Sequence, residues 1–276
     1  MKNIYITDLD HTFLRNDLSI SRFTQDTWNA FGGDSILSIA TARTHKKTVQ
    51  FLKNVHVNAP MILLDGALIA TMDKKIIDTK FINKDIADNI IDEGSKFGIF
   101  PFVLALADKN LNEAFLYPDI CNNAQQEVLT RYAKDDNLIE CNNIRAMKDN
   151  FKIVYMGDEE LLRSLAMHLE DIFCDSLKYI LAPEAYIGCY FLTILHKDAD
   201  KSHGIKSVSE HIGFDLSKLT VFGDNYNDLG MFDLAGTSVA VANAQEKVKK
   251  QANIVLPHTN DEDAVAKYLQ NLQKSL

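Results

Sequence analysis

Two carboxylates stand two residues apart near the start of the chain, in Ile4-Tyr5-Ile6-Thr7-Asp8-Leu9-Asp10-His11-Thr12. Acids this close repel one another unless a cation, a proton or a hydrogen-bond donor lies between them. Three later segments end on groups of the same kind. They are Thr41 in Ala40-Thr41-Ala42-Arg43, Asp65 in Leu64-Asp65-Gly66-Ala67, and Asp224 with Asp228 in Gly223-Asp224-Asn225-Tyr226-Asn227-Asp228. Lys201 opens a further segment. Several carboxylates, one hydroxyl and one ammonium suit phosphoryl transfer. A phosphate monoester repels an anionic nucleophile, and Mg²⁺, a hard cation, is often held by one or two carboxylates together with the substrate phosphate. Asp8, the backbone carbonyl of Asp10 and Asp224 could supply the protein oxygens. Lys201 would then neutralise charge on the transferring group, and Thr41 would hydrogen-bond a phosphoryl oxygen. Asp8 could attack phosphorus, and Asp10 could protonate the leaving oxygen and then activate water. The competing reading is an acidic turn that only caps a strand; Asp8, Leu9 and Asp10 alone leave both readings open.

The elements that carry these groups follow from pattern. Ile4, Tyr5 and Ile6 are β-branched or aromatic, and the run stops at Asp8 because Asp is depleted in strands. Ser35–Ala40, Met61–Leu64, Leu219–Phe222, Ser238–Val241 and Asn253–Leu256 read as further strands. Helices alternate with them: one capped by Ser21 and running to about Phe31 before Gly32-Gly33, one over Lys46–Lys53, one from Lys201 to about His211, and a last one over Asp261–Leu272. Such alternation predicts a parallel sheet with covering helices. The polar strand ends then share one edge, which is where open α/β sheets bind ligands. Asn16-Asp17 signals a turn, hence a small hairpin or flap over the first strand end, and Leu68–Ile77 predicts a hairpin around Asp73-Lys74.

The middle of the chain breaks this alternation. Asn83–Phe97 is an amphipathic helix pattern, followed by strand-like Phe100–Ala105 and Glu113–Tyr117. A helix over about Asn122–Ala133, a strand at Lys152–Met156, a helix at Glu159–Asp171 and strands near Lys178–Leu181 and Cys189–Leu195 complete it. The expected organisation is one α/β domain made of residues 1–80 and 198–276, with an α+β module of residues 81–197 inserted between its halves.

Bulk properties bound the partners. The chain has 276 residues and a formal net charge of -9, which argues against a nucleic-acid surface and leaves small phosphorylated ligands open. Cys121, Cys141, Cys174 and Cys189 form no Cys-x-x-Cys pair, so no zinc or redox motif is expected and reduced, buried thiols of a cytoplasmic protein are. No signal peptide and no membrane span is expected. His45, His196, His203 and His211 lack metal-ligand spacing and read as surface or edge residues, and Lys247, Lys249 and Lys250 as a solvated helix face. Phe97, Phe100 and Phe102 read as core of the inserted module. Quaternary structure is left as monomer or homodimer.

Taken together, Asp8-x-Asp10-x-Thr12, Thr41 after a strand, Lys201, and Gly223-Asp224-x-x-Asn227-Asp228 resemble, in order and spacing, the four motifs of the haloacid dehalogenase superfamily. The inserted module resembles the type IIB cap of the Cof-type sugar-phosphate phosphatases. Ala40-Thr41-Ala42-Arg43, Gly66-Ala67 and Val241-Ala242-Asn243-Ala244 are further echoes. The resemblance implies a Rossmann-like parallel-sheet core with an α+β cap that sets specificity. It also implies a Mg²⁺-dependent phosphatase of small phosphorylated metabolites, sugar phosphates foremost, working through an aspartyl phosphate. By that resemblance Asp8 is the nucleophile, Asp10 the general acid/base, and Thr41, Lys201 and Asn227 bind the substrate phosphate. Asp8, Asp10, Asp224 and Asp228 then form the metal site. The chain departs from the pattern at His11 and Ala42, where Gly is usual, at Asp65, where Asn is common, and at Ala264 after Asp263, where Gly is common. None of these removes a catalytic group. A phosphomutase on the same fold is one alternative. A phospho-acceptor switch like a response-regulator receiver is another, which the insertion and Asp10 oppose. A non-hydrolytic phosphate-binding protein is the third.

Overall fold

The structure is a computed structural model that describes residues 2–132, 138–184 and 187–275. In chain order its first part runs β1 (Asn3–Thr7), α1 (Arg22–Phe31), β2 (Ser35–Ile39), α2 (His45–Phe51), β3 (Met61–Leu63), β4 (Leu68–Ala70) and β5 (Ile76–Thr79). Then come β6 (Ile82–Asn83), α3 (Lys84–Lys96), β7 (Phe102–Leu106), β8 (Glu113–Pro118), α4 (Asn123–Tyr132), β9 (Leu138–Cys141), β10 (Asp149–Gly157), α5 (Glu159–Phe173), β11 (Leu177–Glu184) and β12 (Cys189–His196). The last part is α6 (Lys201–Ile212), β13 (Leu219–Gly223), α7 (Leu229–Leu234), β14 (Thr237–Ala240), α8 (Glu246–Gln251), β15 (Ile254–Val255) and α9 (Ala264–Ser275). Two compact units result: Met1–Thr79 with Asp200–Leu276, and Lys80–Ala199.

In the first unit five strands lie in the order β15-β14-β13-β1-β2, every pairing parallel. β1 is the centre. Ile4, Tyr5 and Ile6 are all buried, as a strand covered on both faces requires. The ladder continues past the strand ends. Asp8 N–H donates to the Phe222 carbonyl (3.0 Å), Thr41 N–H to the Ile62 carbonyl (2.8 Å) and Asp65 N–H to the Thr41 carbonyl (3.1 Å). These bonds set the ends of β1, β2, β3 and β13 side by side. β3 joins the sheet through a single parallel bridge, Ala40 to Ile62, and pairs antiparallel with β4 and through it β5. Its strand geometry stops at Leu63, one residue earlier than expected, because Leu64 and Asp65 are left-handed (φ 51° and 56°).

Caps fix where the helices begin. The Ser21 hydroxyl accepts from Thr24 N–H (3.0 Å), and the Asp200 carboxylate accepts from His203 N–H (2.6 Å), which makes Lys201 the first residue of α6. Gly213, left-handed at φ 73°, ends α6. Under α1, Trp28 is fully buried, packs edge-on against Phe13 and donates its indole N–H to the His56 carbonyl (2.9 Å). The region after Asn16-Asp17 is a turn without strands, closed by Arg15 N–H to the Ser19 carbonyl (3.0 Å).

Among the described residues, the second unit is a seven-stranded sheet, β11-β12-β10-β7-β8-β9, with β6 paired to β10. All its pairings are antiparallel except β8 with β9. One face packs against α3 and α5 through Ile90, Ile91, Leu162, Leu165 and Leu169; the other holds Phe102, Val154 and Met156 against Val128 of α4. Strand β9 has no counterpart in the sequence reading. Only four residues long and nowhere fully buried, it leaves no apolar run to recognise. The expected end of the preceding helix, Ala133, lies outside the described residues. Phe102 is core as expected, whereas Phe100 is 39% exposed, and the cysteines are not buried as expected: Cys174 is exposed and Cys121, Cys141 and Cys189 are half-buried. Among the described residues, no helix is long and apolar enough to cross a membrane.

Candidate active site

Asp8 follows β1 and Asp224 follows β13; Lys201 starts α6, and Asp228 ends a 3-10 turn over Tyr226–Asp228. The structure brings all four together. The Lys201 ammonium donates to Asp8 Oδ1 and to Asp228 Oδ1, both at 2.6 Å, and its side chain is completely buried. The other Asp228 oxygen, Oδ2, accepts from the backbone N–H groups of Asp224 (2.8 Å) and Asn225 (3.0 Å). Asp228 is thus spoken for at both oxygens. Gly223 makes this possible: a Cβ there would lie 2.5 Å from Asp228 Oδ2.

Asp8, Asp224 and Asp228 each offer an oxygen within 4.8 Å of the others. Three buried carboxylates therefore face one buried ammonium. Burial pushes Asp8 well above its ordinary pKa. Lys201 opposes that shift, and Asp228, Asp224 and Asp10 add to it. Asp224 is pushed up to about 7, first by burial and then by Asp228, with the Thr12 hydroxyl and Lys201 opposing. For Lys201, burial acts downward, but Asp228 and Asp8 outweigh it and hold the ammonium above its ordinary value. An excess of buried negative charge built from hard oxygen donors is the environment a divalent cation such as Mg²⁺ neutralises. The residues present fit that ion.

Asp10 is placed differently. Its carboxylate turns away from the cluster to Arg43, which grips both oxygens, Nε to Oδ2 at 2.8 Å and Nη2 to Oδ1 at 2.5 Å. Its carboxylate is not among the three that lie close enough together to share an ion. The Arg43 guanidinium also lies over the Phe51 ring, 4.6 Å from its centre. Thr41 is fully buried, and its Oγ1 accepts from Arg43 N–H (3.2 Å), so its own proton remains to be donated. Asn227 donates its amide to Asp65 Oδ1 (2.9 Å). Asp65 is buried and left-handed, a conformation that Asn and Asp tolerate better than most residues. Gly66, at φ +91°, has no room for a side chain, since a Cβ would lie 2.0 Å from the Asp200 carbonyl.

Two participants were under-read from sequence. Thr12 donates to Asp224 Oδ1 (2.9 Å), 212 residues on in the chain, and its place two residues after Asp10 was the available signal. Arg43, present in the sequence reading only as the end of Ala40-Thr41-Ala42-Arg43, is the partner of Asp10. His45 is corrected: it is 3% exposed, with its Nε2 bonded to the Thr71 carbonyl at 2.9 Å, because the β4–β5 hairpin covers the start of α2. His203 pairs with Asp78 at 2.7 Å and takes no part in the site.

The sequence profile of the haloacid dehalogenase-like hydrolases matches residues 5–269. The chain belongs to this family. Among its relatives is the Bacillus subtilis 5-amino-6-(5-phospho-D-ribitylamino)uracil phosphatase YitU, 22% identical over 267 residues that make up 95% of this chain and 94% of that one. The structure of TM0651 from Thermotoga maritima superposes with a TM-score of 0.82 at 25% identity, covering 98% of this chain and 97% of that one. The fold is also that of the subclass IIB sugar phosphatase BT4131, with a TM-score of 0.75 at 18% identity over 99% of both chains.

Proposed function

We propose that the chain is a Mg²⁺-dependent phosphatase that hydrolyses small phosphorylated metabolites, sugar phosphates among them, through an aspartyl phosphate on Asp8. The observation that carries this reading is the buried Lys201 ammonium shared between Asp8 and Asp228, with Asp224 beside them. Asp8, Asp224 and the backbone carbonyl of Asp10 would hold the ion, with Asp228 behind them. When bound, it supplies positive charge to the phosphoryl oxygens.

The steps follow from the remaining groups. An Asp8 oxygen attacks phosphorus while the bond from phosphorus to the leaving oxygen breaks, and Asp10, turned from Arg43 toward the site and protonated there, gives that oxygen a proton. Water then attacks phosphorus of the acyl phosphate, Asp10 takes up a proton, and Asp8 departs as a carboxylate with inorganic phosphate released. Lys201, the Thr41 hydroxyl and the Asn227 amide bind the phosphoryl oxygens through both steps. The names of the relatives support the substrate class: one acts on a compound with a phosphorylated ribityl chain, and a fold neighbour is titled a sugar phosphatase. Choice of leaving group is assigned to the inserted second unit. The four free thiols support a reducing, cytoplasmic setting.

The test is phosphate release from p-nitrophenyl phosphate and a panel of sugar phosphates, with Mg²⁺ and with chelator. Turnover that needs the metal is expected, and the Asp8→Asn variant is expected to lose it at least a thousandfold, by about 4 kcal/mol or more of barrier. Turnover that persists in chelator or in Asp8→Asn contradicts the reading.

A further inference from the structure

Asp10 lies in a loop that turns back sharply after β1. Asp10 itself is extended (φ -69°, ψ 131°), and the next residue, His11, is left-handed (φ 55°, ψ 10°). A side chain larger than Gly in that region carries a cost of about 1 kcal/mol and persists only where neighbours over-determine it. The loop's own backbone supplies one closing bond, Leu14 N–H to the Leu9 carbonyl at 2.8 Å. Arg43 holds the Asp10 carboxylate and Thr12 is tied to Asp224, while the backbone of the turn itself is held from far along the chain. Asn243 donates its side-chain amide to the His11 carbonyl at 2.7 Å and accepts from Asn260 N–H at 2.9 Å. Asn260, 3% exposed, donates in turn to the Leu14 carbonyl at 2.9 Å and to Asn16 Oδ1 at 3.1 Å. Two asparagines that hold each other thus hold the loop at both ends of its turn. The same segment reaches the other side of the site, where Gln245 N–H donates to the Asp224 carbonyl at 2.9 Å.

Resting on the function proposed above, we infer that Asn243 is a positioning residue for Asp10, acting through the His11 carbonyl. The chemistry of the position requires an amide. One partner is a carbonyl, which only accepts, and the other an N–H, which only donates, so the group between them must do both. Asp keeps the acceptor and sets a second oxygen against the His11 carbonyl; Ala keeps neither. Asn243 is exposed and reaches only backbone, so its loss relaxes the loop without opening the core.

The experiment compares Asn243→Ala, Asn243→Asp and Asn243→Ala/His11→Gly with the parent enzyme on one small phosphate ester, with Asp8→Asn alongside. Both single variants are expected to fold and to lose about tenfold to a hundredfold in kcat, the scale of a misplacement near 1 Å, with KM within about threefold. The His11→Gly change removes the strain that Asn243 opposes, so the double variant is expected to regain several-fold in kcat. Asn243→Asp at parental kcat would show that the bond to Asn260 alone matters and overturns the inference. So does a loss confined to KM, or no recovery in the double variant. A parent enzyme without metal-dependent turnover defeats the phosphatase reading itself, and this inference with it; an active parent beside an unaffected Asn243→Ala defeats only the inference.

Discussion

Lys201 gains its character from what surrounds it. In the sequence it is a lysine at a helix start, which is ordinarily solvated. In the fold, the Asp200 cap and the close approach of Gly66 to Asp200 press the first turn of α6 toward the strand ends, and the ammonium is enclosed by Asp8 and Asp228. Removing one partner of a buried ion pair costs about 3–5 kcal/mol, because the charge left behind is neither solvated nor paired. Lys201→Met is therefore expected to lose that much stability in denaturant titration without metal, together with its activity. Adding Asp228→Asn withdraws one of the stranded charges and is expected to restore part of the stability but none of the turnover. A Lys201→Met variant as stable as the parent would contradict the burial argument. The motif residues were legible because each needs a particular chemical type. Arg43 was not, because nothing in Thr41-Ala42-Arg43 says which carboxylate its fork will find.

The ends of the parallel strands were readable from the sequence to within a residue, whereas in the inserted unit β10 begins at Asp149, three residues before the expected Lys152, and β11 runs to Glu184, three residues past the expected Leu181. The end of β3 was misplaced by one residue because Leu64 adopts a left-handed backbone that its side chain gives no reason to expect. His45 looked exposed because a helix start usually is; only the β4–β5 hairpin, two elements further on, covers it. Gly223 shows the reverse case, a motif residue whose reason appears only in three dimensions. Its missing Cβ leaves room for the Asp228 carboxylate, which in turn holds the N–H groups of Asp224 and Asn225. Gly223→Ala is expected to cost about 1–3 kcal/mol by overpacking. It should also displace Asp228 from Lys201, lowering kcat more than a matched change at Gly33, where a Cβ would meet nothing within 4 Å. Equal kcat values for the two variants would show that the close contact is not felt by the site.

Across the whole chain, the alternation of strands and helices at both ends announced the parallel sheet, and its interruption announced a unit of another kind. The insertion's topology was only partly legible. Half-buried strands such as β9 present no unbroken apolar run, and β6 is two residues long. Stability of the first unit also carries a pH signature. Burial pushes the His45 imidazole below its ordinary pKa, and Lys74 adds to this, while the Thr71 carbonyl and Asp73 oppose. The unfolded chain then binds a proton that the folded chain does not, so stability falls as pH drops below about 6.5, by up to roughly 1.4 kcal/mol per pH unit. Thermal unfolding of the parent and of His45→Gln between pH 8 and pH 5 measures it. The parent should lose more stability than the variant over that range, and parallel losses would mean that His45 is protonated in the folded state.

The central claim is that Asp8 becomes phosphorylated during turnover. Quenching the enzyme in acid during steady turnover, reducing it with borohydride and sequencing the first peptide by mass spectrometry tests this directly, since an aspartyl phosphate is reduced to homoserine and a free carboxylate is not. Homoserine at position 8, dependent on both Mg²⁺ and substrate, is the predicted result. Continuing phosphate release with Asp8 unmodified under the same quench, while a synthetic acyl phosphate control is reduced, would contradict the account.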